Sequence, residues 1–252
     1  MIRVEEARVN TVMARSGQYT ETDRLFLNLA EQVKLPFVQI LHESELLRTR
    51  FQDPSIAASS QLITMTSQSA LSLIDGYLLS VQMQNEQQLE LEPVSVSSAV
   101  YDVAESLDQY AQAHSCKLEL HVAGKYGPVM ANRRAVYVAL RNLSSNFIEA
   151  VSAQRSESDM TLRLAVRKNA SGVSTGIFSY YPLLSSSLLA KAKLINGMVH
   201  QPMAKFDSGM GSGVFVADAL LRQFDAPLKV ARFQGMHGLA TTLLPSRQLN
   251  LI

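Results

Sequence analysis

The chain has 252 residues, 47% of them hydrophobic, and a formal net charge of +1, which fits one or two domains and excludes a general electrostatic attraction to nucleic acid or to a membrane surface. The single cysteine, Cys116, excludes a disulfide framework and a cysteine-based zinc cluster, and the histidines lack the spacing of metal ligands, so no metal site is expected. The apolar runs are short and the first twenty residues carry charges without an apolar core, so we expect no membrane span, no secretory signal and a cytoplasmic protein.

Two amphipathic helices separated by a short break at 51–54 are predicted in the N-terminal part of the chain. Apolar residues follow one another at steps of three, four or seven along each helix, a period of about 3.5 that is typical of helical stripes. The first stripe consists of Leu29, Val33, Pro36, Ile40 and Leu47, and the second of Ala70, Ile74, Tyr77 and Val81. Because a lone hairpin cannot bury both stripes fully, the pattern predicts a four-helix bundle formed by two chains, that is, a homodimer.

The helical pattern ends at residues 89–93, Leu-Glu-Leu-Glu-Pro, where we place a domain boundary: residues 1–90 form the helical hairpin and residues 91–252 a second domain. Helix and strand patterns alternate in the second domain. Helices are predicted at 97–114, 136–151, 184–195 and 216–224, and strands at 117–122, 162–166, 173–181, 228–233 and 239–244, with turns at 169–172 and 235–238. Helices segregated from an antiparallel-rich sheet predict an α+β sandwich.

Five segments are similar, in order and spacing, to the motifs of one family. They are AEQVKLPF at 30–37, the segment 72–96, RNLSSNFIEAV at 141–151, SGMGSGVFVADALLRQF at 208–224 and GLATTLLP at 238–245. Taken in that order, they resemble five parts of sensor histidine kinases. These are the phosphoacceptor motif S-H-E-L-R-T-P-L, the second hairpin helix with the segment that leads into the ATPase domain, the asparagine motif N-L-L-x-N-A, the glycine-rich segment G-x-G-L-G-L and the closing strand. Over residues 22–246 the chain resembles the cytoplasmic core of that family, a dimerisation hairpin followed by an ATPase domain of the gyrase and heat-shock-chaperone type.

The resemblance implies that the phosphoacceptor site is degenerate. Glu31 stands at the position of the acceptor histidine, Gln32 at that of its acidic neighbour, and Leu35 at that of the residue that positions water for phosphatase action. A carboxylate cannot hold phosphate as a phosphoramidate and a glutamine cannot act as a general base, so we expect no autokinase activity. His42, which is followed by Glu43, lies eleven residues after Glu31, about three helical turns, and is an alternative phosphoacceptor on roughly the same side of the helix.

The resemblance also implies an incomplete nucleotide site. Asn142 and Asn146 are four residues apart on one helix face and match the residues that contact the phosphates and magnesium in the family. Backbone amides of a glycine cluster could approach phosphate, or the cluster could be a flexible loop; its members are Gly209, Gly211 and Gly213. From 178 to 195 there is no Asp, Glu or Gly where the family reads adenine with an aspartate, and the loss of such a charged hydrogen bond costs ~1.5–3 kcal/mol. We therefore expect no cofactor, or at most weakened binding of ATP and magnesium.

The resulting interpretation is a catalytically degenerate histidine kinase homologue that acts as a dimeric signalling scaffold and binds a response regulator or a partner kinase. The expected docking surface lies on the first helix, around the acceptor position. It comprises Lys34, Leu35, Phe37, Gln39, His42 and Glu43. Two alternatives remain open: a histidine phosphotransferase that uses His42, and an ATP-binding switch that does not phosphorylate itself.

Overall fold

The computed structural model describes residues 21–51, 53–85, 90–153, 160–181, 189 and 211–245. The N-terminal part is a hairpin of two helices, α1 (Glu21–Arg50) and α2 (Pro54–Asn85), which confirms the helices predicted from the apolar spacing. Asp53 begins α2, because its carboxylate accepts hydrogen bonds from the hydroxyl (2.7 Å) and the backbone N–H (2.8 Å) of Ser55. Such an N-cap, followed by proline at the first helical position, is a strong helix start. The same hydrogen bonds lower the pKa of Asp53.

Two small residues let α1 and α2 pack closely near their turn. Ser44 and Ser60 are both buried. The Ser44 hydroxyl donates to the Ser60 carbonyl at 2.6 Å, and the Ser60 hydroxyl donates to the Ser44 carbonyl in return. The apolar stripe predicted on α1 lies away from this contact, since Leu29 is 54% exposed and Ile40 is 42% exposed. Within one chain, therefore, α1 leaves much of its stripe uncovered.

The rest of the described chain is a sandwich of helices on a sheet. In chain order its elements are β1 (Glu92–Val94), α3 (Val96–Ala113), β2 (Cys116–Ala123), β3 (Val129–Ala131), α4 (Arg133–Ser152), β4 (Met160–Asn169), β5 (Gly172–Ser179), α5 (Gly213–Arg222), β6 (Lys229–Phe233) and β7 (Met236–Leu243). β1 and β3 pair antiparallel, and the other five strands form one sheet in the order β2-β4-β5-β7-β6. β2 and β4 are parallel and all other neighbours in this sheet are antiparallel. The α+β class is confirmed.

Capping side chains place the starts of two helices in the sandwich. The Ser95 hydroxyl accepts a hydrogen bond from the N–H of Ser98 (3.3 Å) at the start of α3. The Asn132 side chain accepts from the N–H of Ala135 (3.0 Å) at the start of α4. Both helices begin one to three residues earlier than the apolar spacing predicts, because a cap precedes the first stripe residue.

The structure also differs from the sequence expectation in two strands and one turn. β1 and β3 were not predicted, because strands of three residues are too short to show alternation. The turn predicted at 235–238 is wrong in extent. Gln234 and Gly235 have φ values of 48° and 81°, and Phe233 already pairs with Met236, as in a two-residue turn that fits the twist of a hairpin. The helix predicted at 184–195 lies outside the described residues apart from Leu189.

One hydrophobic core fills the space between the sheet and helices α3, α4 and α5. The second helix of the hairpin contributes to the same core through Met65, Leu79 and Met83. Helix α2 is therefore packed on the sandwich beside α4 and α5. The division of the chain into two domains at residue 90 remains a prediction. None of the helices in the described part of the chain is long and apolar enough to cross a membrane.

Candidate functional site at the hairpin joint

Helix α4 carries the two asparagines that the sequence singles out. Asn142 and Asn146 are almost completely buried, at 2% and 7% exposure. The side-chain N–H of Asn142 donates to the backbone carbonyl of Ser72 in α2 at 3.1 Å. The side-chain oxygen of Asn146 accepts from the backbone N–H of Gly211, just before α5, at 2.7 Å. Both amides are thus engaged within the protein, one with the hairpin and one with the glycine-rich segment.

Helix α2 passes α4 and α5 most closely at Gly76. A Cβ atom at this position would lie 2.6 Å from Nδ2 of Asn142 and 2.6 Å from Cγ1 of Val216, well inside van der Waals contact. Glycine inside a helix costs about 0.5–1 kcal/mol relative to alanine. The close approach gives its presence within a 32-residue helix a structural reason: only glycine lets α2 lie this near to the asparagine.

The glycine cluster approaches the same helix from the other side. A Cβ atom at Gly213 would lie 2.7 Å from the backbone oxygen of Asn142, and one at Gly211 would lie 3.1 Å from Nδ2 of Asn146. Neither of these glycines has a positive φ, so the left-handed backbone expected of a flexible loop is not the reason for them here. They let the start of α5 pack against α4. Gly209 lies outside the described residues.

The region that the resemblance aligns with the phosphoacceptor motif lies on α1. Glu31, Gln32 and Leu35 are all exposed, Leu35 at 65%. Between them, Nζ of Lys34 lies 2.8 Å from the carboxylate of Asp75 in α2 and 3.7 Å from that of Glu31. The hydrogen bond with Asp75 raises the pKa of Lys34. Glu31, Lys34 and Asp75 therefore form a charged cluster, and Lys34 links α1 to α2.

The docking residues predicted on α1 differ in exposure. The exposed members are Leu35, Gln39, His42 and Glu43, and the half-buried members are Lys34 and Phe37. Leu35, Gln39 and His42 follow one another at steps of four and three, which places them on one helix face. The exposed part of the predicted surface is therefore a narrow face, and Lys34 is engaged with Asp75.

The edge where the family reads adenine is described as far as residue 181. β5 ends at Ser179, which is fully buried and whose hydroxyl accepts a hydrogen bond from the backbone N–H of Tyr181 at 3.1 Å. Tyr180 beside it is exposed. Residues 172–181 contain no carboxylate. In the described part of the chain, no group of three or more His, Cys, Asp or Glu side chains could hold a metal ion.

Sequence reasoning missed three contributions to this region. Ser72 takes part through a backbone carbonyl, which no side-chain pattern reveals. Gly76 had a signal, since a glycine within a strong helical pattern indicates a packing reason. Asp218 of α5 is buried and accepts hydrogen bonds from the N–H of Leu228 (2.8 Å) and Nε of Arg222 (2.7 Å), which fixes α5 to the start of β6.

Two solved structures share this arrangement of hairpin and sandwich. The chain is similar to the Acinetobacter baumannii histidine kinase AdeS over 88% of its own length and 98% of that chain, with a TM-score of 0.51 and 14% identity. It is similar to full-length ShkA in complex with AMPPNP over 88% of its own length and 46% of ShkA, with a TM-score of 0.54 and 16% identity. The chain has the fold of a histidine kinase core.

The histidine kinase fold is what these comparisons establish. No family model matches the chain, and no curated protein matches it in sequence. The chain spans about half the length of ShkA. In the histidine kinase fold found here, α1 and α2 are the helical hairpin, and α4 and α5 are the helices that α2 contacts at Asn142 and Val216.

Proposed function

We propose that this chain is a catalytically degenerate relative of the histidine kinases that acts as a dimeric signalling scaffold. In this proposal α1 supplies both the dimer contact and a docking face for a response regulator or a partner kinase. The observation that carries the proposal is the state of Asn142 and Asn146, whose amides are buried and hydrogen-bonded within the protein.

Nucleotide binding through these two asparagines would have to break their present contacts. An intramolecular hydrogen bond contributes about 0.5–1.5 kcal/mol, so freeing both amides opposes phosphate binding by about 1–3 kcal/mol, roughly a five- to 150-fold loss of affinity. The tight fit of α2 at Gly76 adds to this opposition, because α2 must move before Asn142 is accessible. The missing adenine carboxylate weakens binding further.

The residues at the acceptor position oppose phosphoryl transfer to α1. Glu31 has no imidazole nitrogen to form a phosphoramidate, and Gln32 has no basic group to remove a proton. Glu31 also lies near Lys34, whose ammonium is held by Asp75. The region therefore presents charged side chains but no group that could accept a phosphoryl group as a histidine does, which supports a binding role.

The exposed stripe on α1 supports the dimer. Its members Leu29, Val33, Ile40 and Leu47 are each at least 40% exposed in the single chain, and Leu25, one turn before Leu29, is 64% exposed. Soluble monomers rarely leave large contiguous apolar patches uncovered. A second hairpin packed on this stripe would give a four-helix bundle and bury it.

A second exposed face of α1 is the docking face of the proposal. It consists of Leu35, Gln39 and His42, which is separate from the dimer stripe around Leu29 and Ile40. An exposed leucine flanked by polar residues is suited to a modest, reversible helix contact. The dimer can therefore form while this face remains open to a partner.

The proposal is tested by two measurements on the full chain. Incubation with [γ-³²P]ATP and magnesium should leave the chain unlabelled. Interferometry against a panel of purified receiver domains and histidine kinase cores from the source organism should find binding that Leu35→Asp weakens at least tenfold. Leu91→Asp, at an exposed leucine before β1, is the matched control and should bind normally. Label on the chain, or equal loss in the two variants, contradicts the proposal.

A second candidate function is an ATP-binding switch without autophosphorylation. It is favoured by the position of Asn142, whose side chain donates to the Ser72 carbonyl of α2. A nucleotide that bound this amide would break that hydrogen bond and loosen α2. ShkA has been solved with AMPPNP. Calorimetry with AMPPNP and magnesium separates the two proposals: a Kd below about 1 mM, with faster hydrogen exchange in α2, favours the switch, and the absence of heat favours the scaffold.

The histidine phosphotransferase remains the other alternative. His42 is exposed and is followed by the exposed Glu43, so a receiver domain could reach its imidazole. Incubation with a ³²P-phosphorylated receiver domain tests it directly. Label on the wild-type chain that is absent from His42→Gln would replace the scaffold proposal by a transfer role, and no label in either chain would remove this alternative.

A further inference from the structure

A cavity of about 680 Å³ lies where the hairpin meets the sandwich, within the range of about 300–1,000 Å³ that is usual for small-molecule sites. Helix α2 supplies Met65 and Ser69, α3 supplies Tyr101 among others, β2 supplies Leu118 and Leu120, and α4 supplies Arg141 and Ser145. The lining does not include Asn142 or Asn146. The cavity is therefore separate from the residues considered for nucleotide binding.

The basic group among the residues that line this cavity is the guanidinium of Arg141. Arg141 is half-buried, and no ion pair joins it to any residue in the described part of the chain. Arg141, Ser145 and Glu149 follow one another at steps of four residues along one face of α4. Glu149 is the acidic residue on that face. The Ser145 hydroxyl donates to its own helix, at the carbonyl of Asn142 (3.2 Å).

Glu149 is held by other groups. Its carboxylate accepts a hydrogen bond from the Tyr110 hydroxyl at 2.7 Å and a longer one from the Ser69 hydroxyl at 3.4 Å. Burial raises the pKa of Tyr110, and the hydrogen bond to Glu149 raises it further, so the phenol stays protonated and keeps donating at neutral pH. Glu149 thus closes a contact between α2, α3 and α4.

Two acids also line the cavity. Glu105 and Asp108 are exposed, and Asp108 accepts a hydrogen bond from the side chain of Gln112 at 2.7 Å. Their charges lie in solvent, where screening is strong. They disfavour a dianionic group such as a phosphate more than a monoanion. The apolar side chains of Met65, Leu118 and Leu120 offer a surface for a non-polar ligand body.

We infer that this cavity binds a small monoanionic carboxylate with an apolar body, held by Arg141 and packed on Met65, Tyr101 and Leu120. The planar fork of a guanidinium matches a carboxylate with two parallel hydrogen bonds, which a neutral amide cannot reproduce. Because α2 contributes one wall and the sandwich the others, the ligand stiffens the joint between them. This site is independent of nucleotide and receiver binding.

The experiment is an amide NMR titration of the full chain with four probes of one shape: benzoate, benzamide, benzylammonium and phenyl phosphate. Benzoate should shift the amides of Tyr101, Leu118 and Arg141 at concentrations up to about 10 mM, the range for so small a ligand. Benzamide and benzylammonium should bind at least tenfold more weakly, and phenyl phosphate more weakly than benzoate. Equal binding of benzamide, or no shifts at all, overturns the inference.

Variants assign the effect to Arg141. Arg141→Gln should weaken benzoate binding at least tenfold. Arg133→Gln removes the same charge from an exposed arginine at the start of α4, where it pairs with Glu92, and should bind benzoate normally. If Arg141→Gln does not fold, Arg141→Lys, which keeps the charge without the fork, should show a reduced benzoate-induced rise in melting temperature. Unchanged benzoate affinity in Arg141→Gln, or an unchanged rise in Arg141→Lys, contradicts the role of the guanidinium.

Discussion

The two helices of the hairpin are similar in length, 30 and 32 residues, yet they bury different amounts of their apolar side chains. Helix α1 leaves Leu29, Ile40 and Leu47 exposed, whereas α2 places Met65 and Met83 in the core of the sandwich. An amphipathic pattern indicates that a face needs a partner, but it does not say which partner. Here the face of α2 that carries Met65 and Met83 has its partner within the chain, but the predicted α2 stripe lies on another face, where Tyr77 is 37% exposed. The stripe of α1 is open to a second copy.

The largest effect is expected from charge on the open stripe of α1. The double variant Leu29→Asp/Ile40→Asp should weaken self-association at least about 1,000-fold, equal to about 4 kcal/mol, because each buried aliphatic side chain contributes about 1.5–3 kcal/mol and both copies change. Sedimentation equilibrium measures it. Leu35→Asp, on the other face of α1, is the control and should stay dimeric. A wild-type chain that sediments as a monomer would contradict the proposal that the α1 stripe is covered by a second copy.

The next largest effect is expected where α2 meets the sandwich. Gly76→Leu should destabilise the chain by about 2–3 kcal/mol, because the new side chain overlaps Asn142 and Val216 and overpacking typically costs about 1–3 kcal/mol. Urea unfolding measures the loss. Gly127→Ala is the matched control, since a Cβ atom there meets nothing within 4 Å. Equal stability of Gly76→Leu and wild type would mean that α2 does not dock on α4 in solution.

A smaller effect is expected at the contact between α1 and α2. Ser44→Ala should cost about 1 kcal/mol, because it removes a buried hydroxyl that bonds Ser60. Adding Ser60→Ala to Ser44→Ala should lower the free energy of unfolding by less than Ser60→Ala does alone, because the two serines hydrogen-bond to each other. Ser59→Ala, at an exposed serine of α2 next to Ser60, controls for loss of a hydroxyl alone. Additive losses in the denaturant experiment would show that the two serines are not coupled.

The smallest effect is expected from the partly exposed pair of Lys34 and Asp75. A double-mutant cycle with Lys34→Met and Asp75→Asn should give a coupling of about 0.2–1 kcal/mol, because solvent screens the pair. The pair raises the pKa of Lys34 above its ordinary value of 10.5, so its contribution is fully present below that value and is lost as the pH rises through the higher folded pKa. Coupling of the same size at pH 8 and well above 10.5 would contradict this assignment.

Much of the fold follows from local patterns in the sequence. The stripes of α1 and α2 predict the hairpin, and the alternation at 162–166 and 173–181 predicts β4 and β5. The parallel pairing of β2 with β4 could not be predicted, because it depends on how α4, which lies between them in the chain, packs on the sheet. β1 and β3 could not be predicted, because three residues carry no period.

The candidate site was predictable only in part. The spacing of Asn142 and Asn146 places them on one helix face, but their partners are a carbonyl 70 residues away and the backbone N–H of Gly211. Backbone groups are present at every position, so no sequence pattern distinguishes the one that an amide will find.

The kinds of elements, their order and the identity of the side chains at Glu31 and Gln32 follow from the sequence alone, because period, turn chemistry and side-chain identity are local properties. The tertiary structure decided which helix of the hairpin is covered and what the two asparagines bind. These depend on the approach of α2 to α4 at Gly76, and a distance between segments far apart in the chain is fixed only when the core packs.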